Sequence, residues 1–478
     1  MKITFIFLPT RCEINWTNLD AQDKVMESIP PLSLTYAAAV AERAGHKVSI
    51  IDAVAERLNL DKIVSRINAL SPDILGFTVT TYGFAQNLNN IRLIKERVKI
   101  PVIVGGWHLS LYPAETIAHP EFDYAVVGEA DDTLPELLKT LEWGGDLKGV
   151  KGIAYRRNGD TIVNAPREVR DTIDETLFPA RHLLKNNQYF NVFTQRKNFT
   201  GMLSSRGCPF RCIFCDLKTK KYRLRSPENF VDEMEVCYKE FGIRSMDIHD
   251  TIFTINKKRA STMCEEMMRR KLDIDWTARA RSDTVDKDML KMMSRAGCKV
   301  VMFGIESGDP EILRILRKDI KLDRVREVVK WTKHYGMKAL GFFILGSPGE
   351  TTQSIRRTLN FACELPLDYV QFTKMTPFPN TELYELYKKE YGGDYWRDFT
   401  LDPSKEKELP LVGTDLSQKD ALRYLKKAYI RFYFRPSYII RALSRVGSFF
   451  ELKNSAIAAY HILFTNHYLR LTDTQAED

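Results

Sequence analysis

The chain has 478 residues, of which 71 are Lys or Arg, 62 are Asp or Glu and eight are Cys. This length allows about three domains of roughly 150 residues each. A charged fraction of 28% with 44% apolar residues excludes a disordered chain, and a mean hydropathy of −0.29 argues against an integral membrane protein. The apolar run Met1–Leu8 has no basic segment before it, so it predicts a strand rather than a signal peptide. Without a secretion signal we expect a cytoplasmic protein, in which a tight cysteine cluster binds metal more often than it forms disulfides.

Residues 1–140 alternate short apolar runs with helical patterns. The predicted strands are Lys2–Leu8, Lys47–Ile51, Ile74–Val79, Val102–Val104 and Tyr124–Val127. Apolar strands separated by helices indicate a doubly wound, Rossmann-like parallel sheet that is covered on both faces. Ligands bind such sheets at the carboxyl ends of the strands, where this chain concentrates small and polar residues.

The rest of the chain divides into three predicted parts. Residues 141–196 form a bridging segment with a hairpin around Asn158–Gly159. Residues 197–400 alternate six apolar runs with helical patterns, which predicts a partial (β/α)6 barrel. Residues 401–478 form a basic, aromatic and helical region.

The net charge of +9 lies mostly in that last region. Between Asp415 and Arg470 there are ten Lys or Arg and three Asp or Glu, a surplus of +7. A helical cap on the barrel, a lid over a large apolar substrate and a docking site on a membrane surface all agree with this composition. Nucleic acid is not expected, because the sequence shows no RNA-binding module.

Three of the eight cysteines carry the clearest chemical signal. Cys208, Cys212 and Cys215 form a Cys-x3-Cys-x2-Cys segment just after the first apolar run of the barrel. Three thiolates on a 4Fe–4S cluster leave one iron open to an outside ligand, whereas a structural zinc site normally has four protein ligands. Zinc with His249 as a fourth ligand and a loop with incidental cysteines are the alternatives. The five scattered cysteines are expected to pack as small apolar residues.

The cysteine spacing, with the aromatic Phe214 directly before the last cysteine, resembles the signature of radical S-adenosylmethionine (SAM) enzymes. The resemblance implies that the open iron binds SAM, which is cleaved reductively to methionine and a 5′-deoxyadenosyl radical. It implies reduced ferredoxin or flavodoxin as the electron donor. It also implies SAM contacts at the ends of the later strands, where this chain has Asp250, Arg279, Glu306, Ser307 and Gly346. Asp250 is expected to replace the family's Gly-Gly-Glu contact to the SAM amino group, which this chain lacks.

Three segments of the N-terminal part resemble the cobalamin-binding domain of class B radical SAM enzymes. They are Gly45–Val48, Val104–His108 and Val126–Glu129, and hydroxyl residues at the third strand end accompany them. The cobalamin contacts that the resemblance implies are Thr10, Thr78, Thr80, Gly105, Gly106, His108, Gly128 and Glu129. The alternative is a flavodoxin-like module that binds another ligand or none.

One departure from related cobalamin domains bears on the cobalt ligand. The Asp-x-His-x-x-Gly motif that supplies a cobalt ligand in methionine-synthase-like domains is absent after the first strand. We therefore expect cobalamin without a His from that motif on cobalt. His108 is expected to donate a hydrogen bond to the corrin periphery or to brace its own loop.

The domain order and the segment Phe432–Tyr438 resemble the subgroup of the anaerobic magnesium-protoporphyrin IX monomethyl ester cyclase and of hopanoid-associated radical SAM enzymes. This resemblance implies methylation or oxidative cyclisation at an unactivated carbon of a large apolar lipid, isoprenoid or tetrapyrrole-type substrate. The alternatives are a radical SAM enzyme that modifies RNA or transfers a methylthio group, and a cobalamin or redox sensor. The first of these usually has extra cluster cysteines in its N-terminal domain, where this chain has Cys12 alone.

Overall fold

The computed structural model describes residues 1–9, 28–191, 193, 196–219 and 221–443. Thr10 and residues 444–478 of the basic region therefore lie outside the described residues. The chain packs into two compact units. Unit one consists of Met1–Met202, Asp232–Met246 and Asp394–Glu406, and unit two consists of Leu203–Val231, Asp247–Gly393 and the chain from Lys407 onwards.

Unit one contains a seven-stranded sheet with the order β2-β1-β3-β4-β5-β6-β7. Its strands are β1 (Lys2–Phe7), β2 (Lys47–Asp52), β3 (Ile74–Thr78), β4 (Val102–Gly105), β5 (Tyr124–Val126), β6 (Ile153–Arg157) and β7 (Asp160–Val163). The helices between them are α1 (Leu32–Arg43), α2 (Leu60–Leu70), α3 (Phe84–Arg97), α4 (Pro113–Ile117) and α5 (Ala130–Glu142). The first five strands pair in parallel, which confirms the predicted parallel sheet.

The helices cover this sheet because their apolar residues recur at helical spacing. In α2 the side chain of Asn59 accepts a hydrogen bond from the Lys62 backbone N–H and caps the first turn. Leu60, Ile63 and Ile67 then form the buried face of the helix.

The predicted hairpin is present and extends this same sheet. β6 pairs antiparallel with β5, and β7 pairs antiparallel with β6. Asn158 and Gly159 connect β6 to β7 with φ angles of 55° and 90°, the positive values that a two-residue type I′ turn requires. The sheet of the N-terminal part therefore continues beyond residue 140.

A second sheet has six strands in the order β15-β14-β13-β12-β11-β8. The strands from here to the end of the barrel are β8 (Phe199–Met202), β9 (Ser205–Arg206), β10 (Arg223–Leu224), β11 (Ser245–Ile248), β12 (Asp275–Ala280), β13 (Cys298–Glu306), β14 (Lys338–Leu345) and β15 (Tyr369–Lys374). The helices that alternate with them are α6 (Pro227–Glu240), α7 (Lys257–Arg269), α8 (Lys287–Arg295), α9 (Pro310–Ile315), α10 (Leu322–His334) and α11 (Thr352–Glu364). β12 to β15 pair in parallel, and β9 and β10 form a separate two-stranded ribbon. Six strands alternating with helices agree with the predicted partial barrel.

In the part of the chain that the structure describes, four helices follow the last strand: α12 (Glu382–Tyr391), α13 (Tyr395–Leu401), α14 (Gln418–Tyr433) and α15 (Pro436–Leu443). Tyrosine hydroxyls from α14 satisfy the backbone of the edge strand β15. Tyr429 bonds both the N–H and the C=O of Phe372 at 3.0 and 3.1 Å, and Tyr433 bonds the same two groups of Val370 at 3.1 and 3.2 Å.

These hydroxyls supply the hydrogen bonds that a neighbouring strand would otherwise give. The described part of the C-terminal region thus packs as a helical cap on the barrel. Within the described ranges, no helix is long and apolar enough to cross a membrane.

Candidate functional site

The cysteine segment is a loop of unit two that begins directly after β9. Gly207 opens the loop with a φ of 87°, a left-handed conformation that suits glycine. Cys208 and Cys212 are 7% and 8% exposed, and Cys215 is half-buried. Backbone hydrogen bonds hold Ile213 in place, since its N–H donates to Leu316 and its C=O accepts from Leu383. The loop therefore presents three cysteines from a fixed backbone.

Burial raises the pKa of the Cys215 thiol to about 11 and also raises the pKa of Cys212. The positive charges of Lys318 and Arg281 partly oppose the shift at Cys212. Thiolates in this pocket thus need a positive partner, which the irons of a cluster would supply.

No three His, Cys, Asp or Glu side chains in the described parts of the chain are gathered closely enough to bind one metal ion. A 4Fe–4S cluster does not require such a group, because each cysteine binds a different iron. Three cysteines on one anchored loop therefore fit the donor set of this cluster.

Arg281 connects the cysteine loop to the end of β12. Its guanidinium lies over the ring of Phe210 at 3.8 Å from the ring centroid, and Phe210 stands between the first two cysteines. The same guanidinium donates to both carboxylate oxygens of Asp283 and to the backbone C=O of Lys318 at 2.7 Å. The Arg281 guanidinium thus holds the loop by stacking on Phe210, and its hydrogen bonds to Asp283 and Lys318 fix its own position.

Glu306, at the end of β13, forms a buried ion pair with Lys318. The Glu306 Oε1 to Lys318 Nζ distance is 2.9 Å, and the side chains are 9% and 8% exposed. Glu306 has a φ of 67°, in the left-handed region, and the pairing of β13 with β14 shifts register at this point. A side chain on Gly304 would place a Cβ 2.6 Å from Glu306 Oε1, so glycine makes room for the pair. Strained backbone of this kind concentrates at functional sites.

Asp250 lies at the start of the loop after β11 and is 1% exposed. Its carboxylate accepts hydrogen bonds from the backbone N–H groups of Ser204 and Ser205 and from the Ser204 hydroxyl. In this arrangement Asp250 holds the chain just before the cysteine loop. These three bonds leave acceptor capacity on the carboxylate, so the contact of Asp250 to the SAM amino group stays a prediction.

The remaining predicted SAM residues lie at strand ends of unit two. The Arg279 guanidinium pairs with Asp247 at 3.1 Å, and the Ser307 hydroxyl lies 3.0 Å from that of Thr358. Gly346 follows β14 with a φ of 87° and donates its N–H to Glu350. Arg279 thus joins β12 to β11, Ser307 joins the end of β13 to α11, and Gly346 bonds within its own turn. Phe214 is half-buried within the loop.

The predicted cobalamin residues lie at the carboxyl ends of β3, β4 and β5 in unit one. At Gly105 and Gly128 a Cβ would meet no atom within 4 Å, so the backbone faces open space there. Gly106 has a φ of 113°, and a Cβ on it would lie 2.4 Å from the Val79 carbonyl oxygen. A large planar ligand needs this kind of bare backbone edge, so the residues present fit cobalamin.

The polar cobalamin candidates differ in exposure. Thr78 is half-buried and Thr80 is exposed, and the Thr80 hydroxyl accepts a hydrogen bond from the Gly83 N–H at 3.3 Å. Glu129 is the residue before α5 and is half-buried.

His108 is buried, and both of its ring nitrogens have partners within the chain. Its side chain is 0% exposed, with Nδ1 3.2 Å from the Thr81 hydroxyl and Nε2 3.4 Å from the Thr400 hydroxyl. Burial, together with the nearby His119, lowers the pKa of His108 to about 3, so the ring is neutral. Of the two predicted roles, the structure favours the brace of its own loop.

The sequence reasoning missed three residues that organise these sites. Lys318 stands in a loop after α9, Thr400 in α13, and Tyr189 beyond the hairpin, and no local motif marks any of them. Thr400 and Tyr189 act through partners 292 and 137 positions away, and Lys318 acts through Glu306, 12 positions away, pairings that a single sequence does not reveal.

Asp52, at the end of β2, is a buried carboxyl group close to the candidate edge. It accepts hydrogen bonds from the Tyr189 hydroxyl at 2.7 Å and from the backbone N–H groups of Val54 and Ala55. Burial is the largest effect and raises the pKa of Asp52 from 3.8 to about 6.

A raised pKa means that the folded chain holds this proton more tightly than the unfolded chain does. The contribution of Asp52 to stability is therefore greatest below pH 4 and falls as the pH rises through about 6, by roughly 3 kcal/mol in total. Asp52→Asn keeps an oxygen for the two N–H groups and cannot ionise. We expect the variant to lose this pH dependence, which denaturant unfolding at pH 4, 5, 6 and 7 measures; an unchanged slope would contradict the assignment.

Comparison with known proteins identifies the class of protein. The radical SAM superfamily model matches residues 202–362, and the B12 binding domain model matches residues 22–138. An uncharacterized methyltransferase of Pyrococcus horikoshii is 34% identical over 449 residues, which cover 92% of this chain and 94% of that protein. The chain therefore belongs to the radical SAM enzymes that carry a B12-binding domain. Its cofactors are a 4Fe–4S cluster, SAM and cobalamin.

Other relatives and solved structures agree with this family. The anaerobic magnesium-protoporphyrin IX monomethyl ester cyclase of Rubrivivax gelatinosus is 27% identical over 370 residues, which cover 74% of this chain and 66% of that protein. The cobalamin-dependent SAM radical enzyme OxsB shares the fold with a TM-score of 0.70 at 18% identity, over 98% of this chain and 72% of that chain. The radical SAM methyltransferase TsrM of Kitasatospora setae has a TM-score of 0.65 at 20% identity, over 81% of this chain and 75% of that chain. These likenesses confirm the predicted fold class.

Proposed function

We propose that the protein methylates an unactivated carbon of a large apolar lipid, isoprenoid or tetrapyrrole-type substrate. The observation that carries the reaction type is the similarity to the Pyrococcus horikoshii methyltransferase, which extends over 92% of this chain. The substrate class rests on weaker similarity, since the hopanoid C-3 methylase of Methylococcus capsulatus is 26% identical over 394 residues.

The chain's own residues would hold and orient the cofactors. When bound, the cluster and SAM supply a 5′-deoxyadenosyl radical, and cobalamin supplies the methyl group. Cys208, Cys212 and Cys215 would each bind one iron. Glu306 and Ser307 can accept hydrogen bonds from ribose hydroxyls, because they stand side by side at the end of β13.

Glycines at the strand ends would let the adenine of SAM and the corrin ring of cobalamin lie against the backbone. The backbone around Gly346 would lie against adenine, and Gly105, Gly106 and Gly128 would let backbone approach the corrin. Thr78, Thr80 and Glu129 lie at the same strand ends and would take polar contacts of cobalamin. Thr10, expected to join them, lies outside the described residues.

Product analysis tests the proposed reaction. The anaerobically reconstituted full chain is supplied with hydroxocobalamin, a chemical reductant, SAM deuterated in its methyl group and a total lipid extract. Methyl transfer from SAM releases S-adenosylhomocysteine, and hydrogen abstraction releases 5′-deoxyadenosine. We expect both products and a deuterated methyl group in a lipid, and absence of S-adenosylhomocysteine would overturn methylation.

Oxidative cyclisation is the second candidate, and the similarity to the Rubrivivax gelatinosus cyclase favours it. Cyclisation leaves the methyl group of SAM in methionine. The same experiment with a magnesium tetrapyrrole ester in place of the lipids would then yield 5′-deoxyadenosine without S-adenosylhomocysteine. The ratio of the two nucleosides distinguishes the candidates.

We also propose a cytoplasmic location, reduced ferredoxin or flavodoxin as electron donor, and peripheral contact with a membrane surface. The membrane contact is supported by α15, where Ile439 and Ile440 are 40% and 68% exposed. The neighbouring α14 presents exposed basic residues such as Lys419, Lys427 and Arg431. Co-sedimentation with phosphatidylglycerol vesicles, and none with phosphatidylcholine vesicles, is the expected result.

A further inference from the structure

Helix α13 belongs to unit one although it follows the whole barrel in the sequence. It buries Trp396, Phe399 and Thr400, which are 6%, 2% and 0% exposed. The Phe399 ring lies 6.0 Å from the ring of Phe84, at the start of α3. This helix is therefore part of the packed interior beside the ends of β3 and β4.

Polar contacts fix α13 at several points on the segment that follows β4. The His119 Nε2 donates to the Thr400 carbonyl oxygen at 2.6 Å. The Tyr112 hydroxyl donates to Asp394 at 3.3 Å, and Arg397 pairs with Glu115 at 2.9 Å. The helix is thus attached along residues 108–119 and not at a single contact.

One chain of hydrogen bonds runs from α13 to the loop after β3. The Thr400 hydroxyl donates to the Trp396 carbonyl oxygen at 2.6 Å, so its remaining capacity is to accept. The neutral His108 ring can then donate from Nε2 to Thr400, which leaves Nδ1 to accept from the Thr81 hydroxyl. The hydroxyls of Thr81 and Thr400 and the ring of His108 are all buried, and each hydrogen bond of the chain then has one donor and one acceptor.

This chain ends at the glycine turn of the candidate cobalamin edge. His108 lies in the single helical turn Trp107–Ser110, which begins directly after Gly106. The Leu109 N–H donates to the Gly106 carbonyl oxygen at 3.2 Å, and the Val79 N–H donates to the Gly105 carbonyl oxygen at 2.8 Å. A shift of the His108 ring would therefore move the backbone of the two glycines.

We propose that Thr400 is a positioning residue for cobalamin: through His108 it fixes the Gly105–Gly106 turn in the conformation that receives the cofactor. The inference rests on the proposed place of cobalamin at this turn. It assigns part of the cobalamin site to a helix nearly 300 residues away in the chain, since Thr400 and His108 are 292 positions apart.

The test compares Thr400→Val with the wild type in the full chain. Hydroxocobalamin is titrated into each protein and its absorbance spectrum gives the dissociation constant, without SAM or turnover. We expect Thr400→Val to bind about tenfold more weakly, the effect of one lost hydrogen bond. Thr400→Ser keeps the hydroxyl and is expected to restore wild-type affinity and spectrum.

Thr332→Val is the matched control. Thr332 is also 0% exposed, lies in helix α10 and donates its hydroxyl to the carbonyl oxygen four residues earlier, at 2.8 Å from Val328. It lacks a histidine partner among the described contacts, so this variant is expected to lose stability and to keep cobalamin affinity.

Equal affinities for Thr400→Val and the wild type would overturn the inference, whatever the change in melting temperature. A wild-type chain that does not bind hydroxocobalamin would overturn the proposed place of the cofactor as well. If Thr400→Val does not fold, Thr400→Ala replaces it, because it removes the same hydroxyl. That variant is also expected to bind about tenfold more weakly, and unchanged affinity would overturn the inference.

Discussion

Cys212→Ala is expected to abolish SAM cleavage and to leave the reconstituted protein without a full 4Fe–4S cluster. Each cysteine of the loop would bind a separate iron, so the variant has two protein ligands where three are needed. Cys212 is 8% exposed and stands between the other two cysteines of the loop in the sequence. Iron content and 5′-deoxyadenosine formation under anaerobic conditions measure the result.

Cys264→Ala is the matched control for this variant. Cys264 is 0% exposed in α7 and packs as a small apolar residue, so its replacement is expected to keep both the cluster and SAM cleavage. Hydroxocobalamin binding is expected to survive in Cys212→Ala, since the candidate cobalamin residues lie in unit one. A complete 4Fe–4S signal in the electron paramagnetic resonance spectrum of Cys212→Ala would refute the ligand assignment.

The strand positions and the cysteine loop could be predicted because local sequence encodes them. Apolar runs of strand length gave β1 to β5 within a few residues of their observed ends. The hairpin followed from Asn158–Gly159, since few residue pairs accept two positive φ angles. What local sequence did not encode was the partner of that hairpin, which joined the edge of the first sheet at β5.

Side-chain partners at long range could not be predicted, and they add structural contacts to residues that the sequence assigned to cofactors. Asp250 was assigned from its place at a strand end, and the sequence did not show that it also binds Ser204 and Ser205, 46 and 45 positions away. His108 reads as a cofactor contact, yet both ring nitrogens have internal partners. A residue type at a strand end thus indicates where chemistry can occur, whereas the contacts decide which side chains remain available for it.

Lys318→Met is expected to lower the stability of the protein by about 3–5 kcal/mol, because it leaves the Glu306 carboxylate buried without its partner. Gly304 packs closely against this pair, since a Cβ there would lie 2.8 Å from Lys318 Nζ. The same substitution is expected to reduce 5′-deoxyadenosine formation at least tenfold, because the Lys318 side chain holds Glu306 at the strand end where the ribose is proposed to bind. Denaturant unfolding and single-turnover SAM cleavage measure the two effects.

A second substitution separates stability from function. Glu306→Gln removes the buried charge, so Lys318→Met/Glu306→Gln is expected to regain most of the lost stability and to stay inactive. Lys333→Met breaks a comparable pair, in which Lys333 Nζ lies 2.7 Å from Asp368, just before β15. That control is expected to be less stable than the wild type. It is expected to cleave SAM at denaturant concentrations well below its unfolding midpoint. Activity that returned together with stability in the double variant would show that the charges of the Glu306–Lys318 pair serve the fold alone.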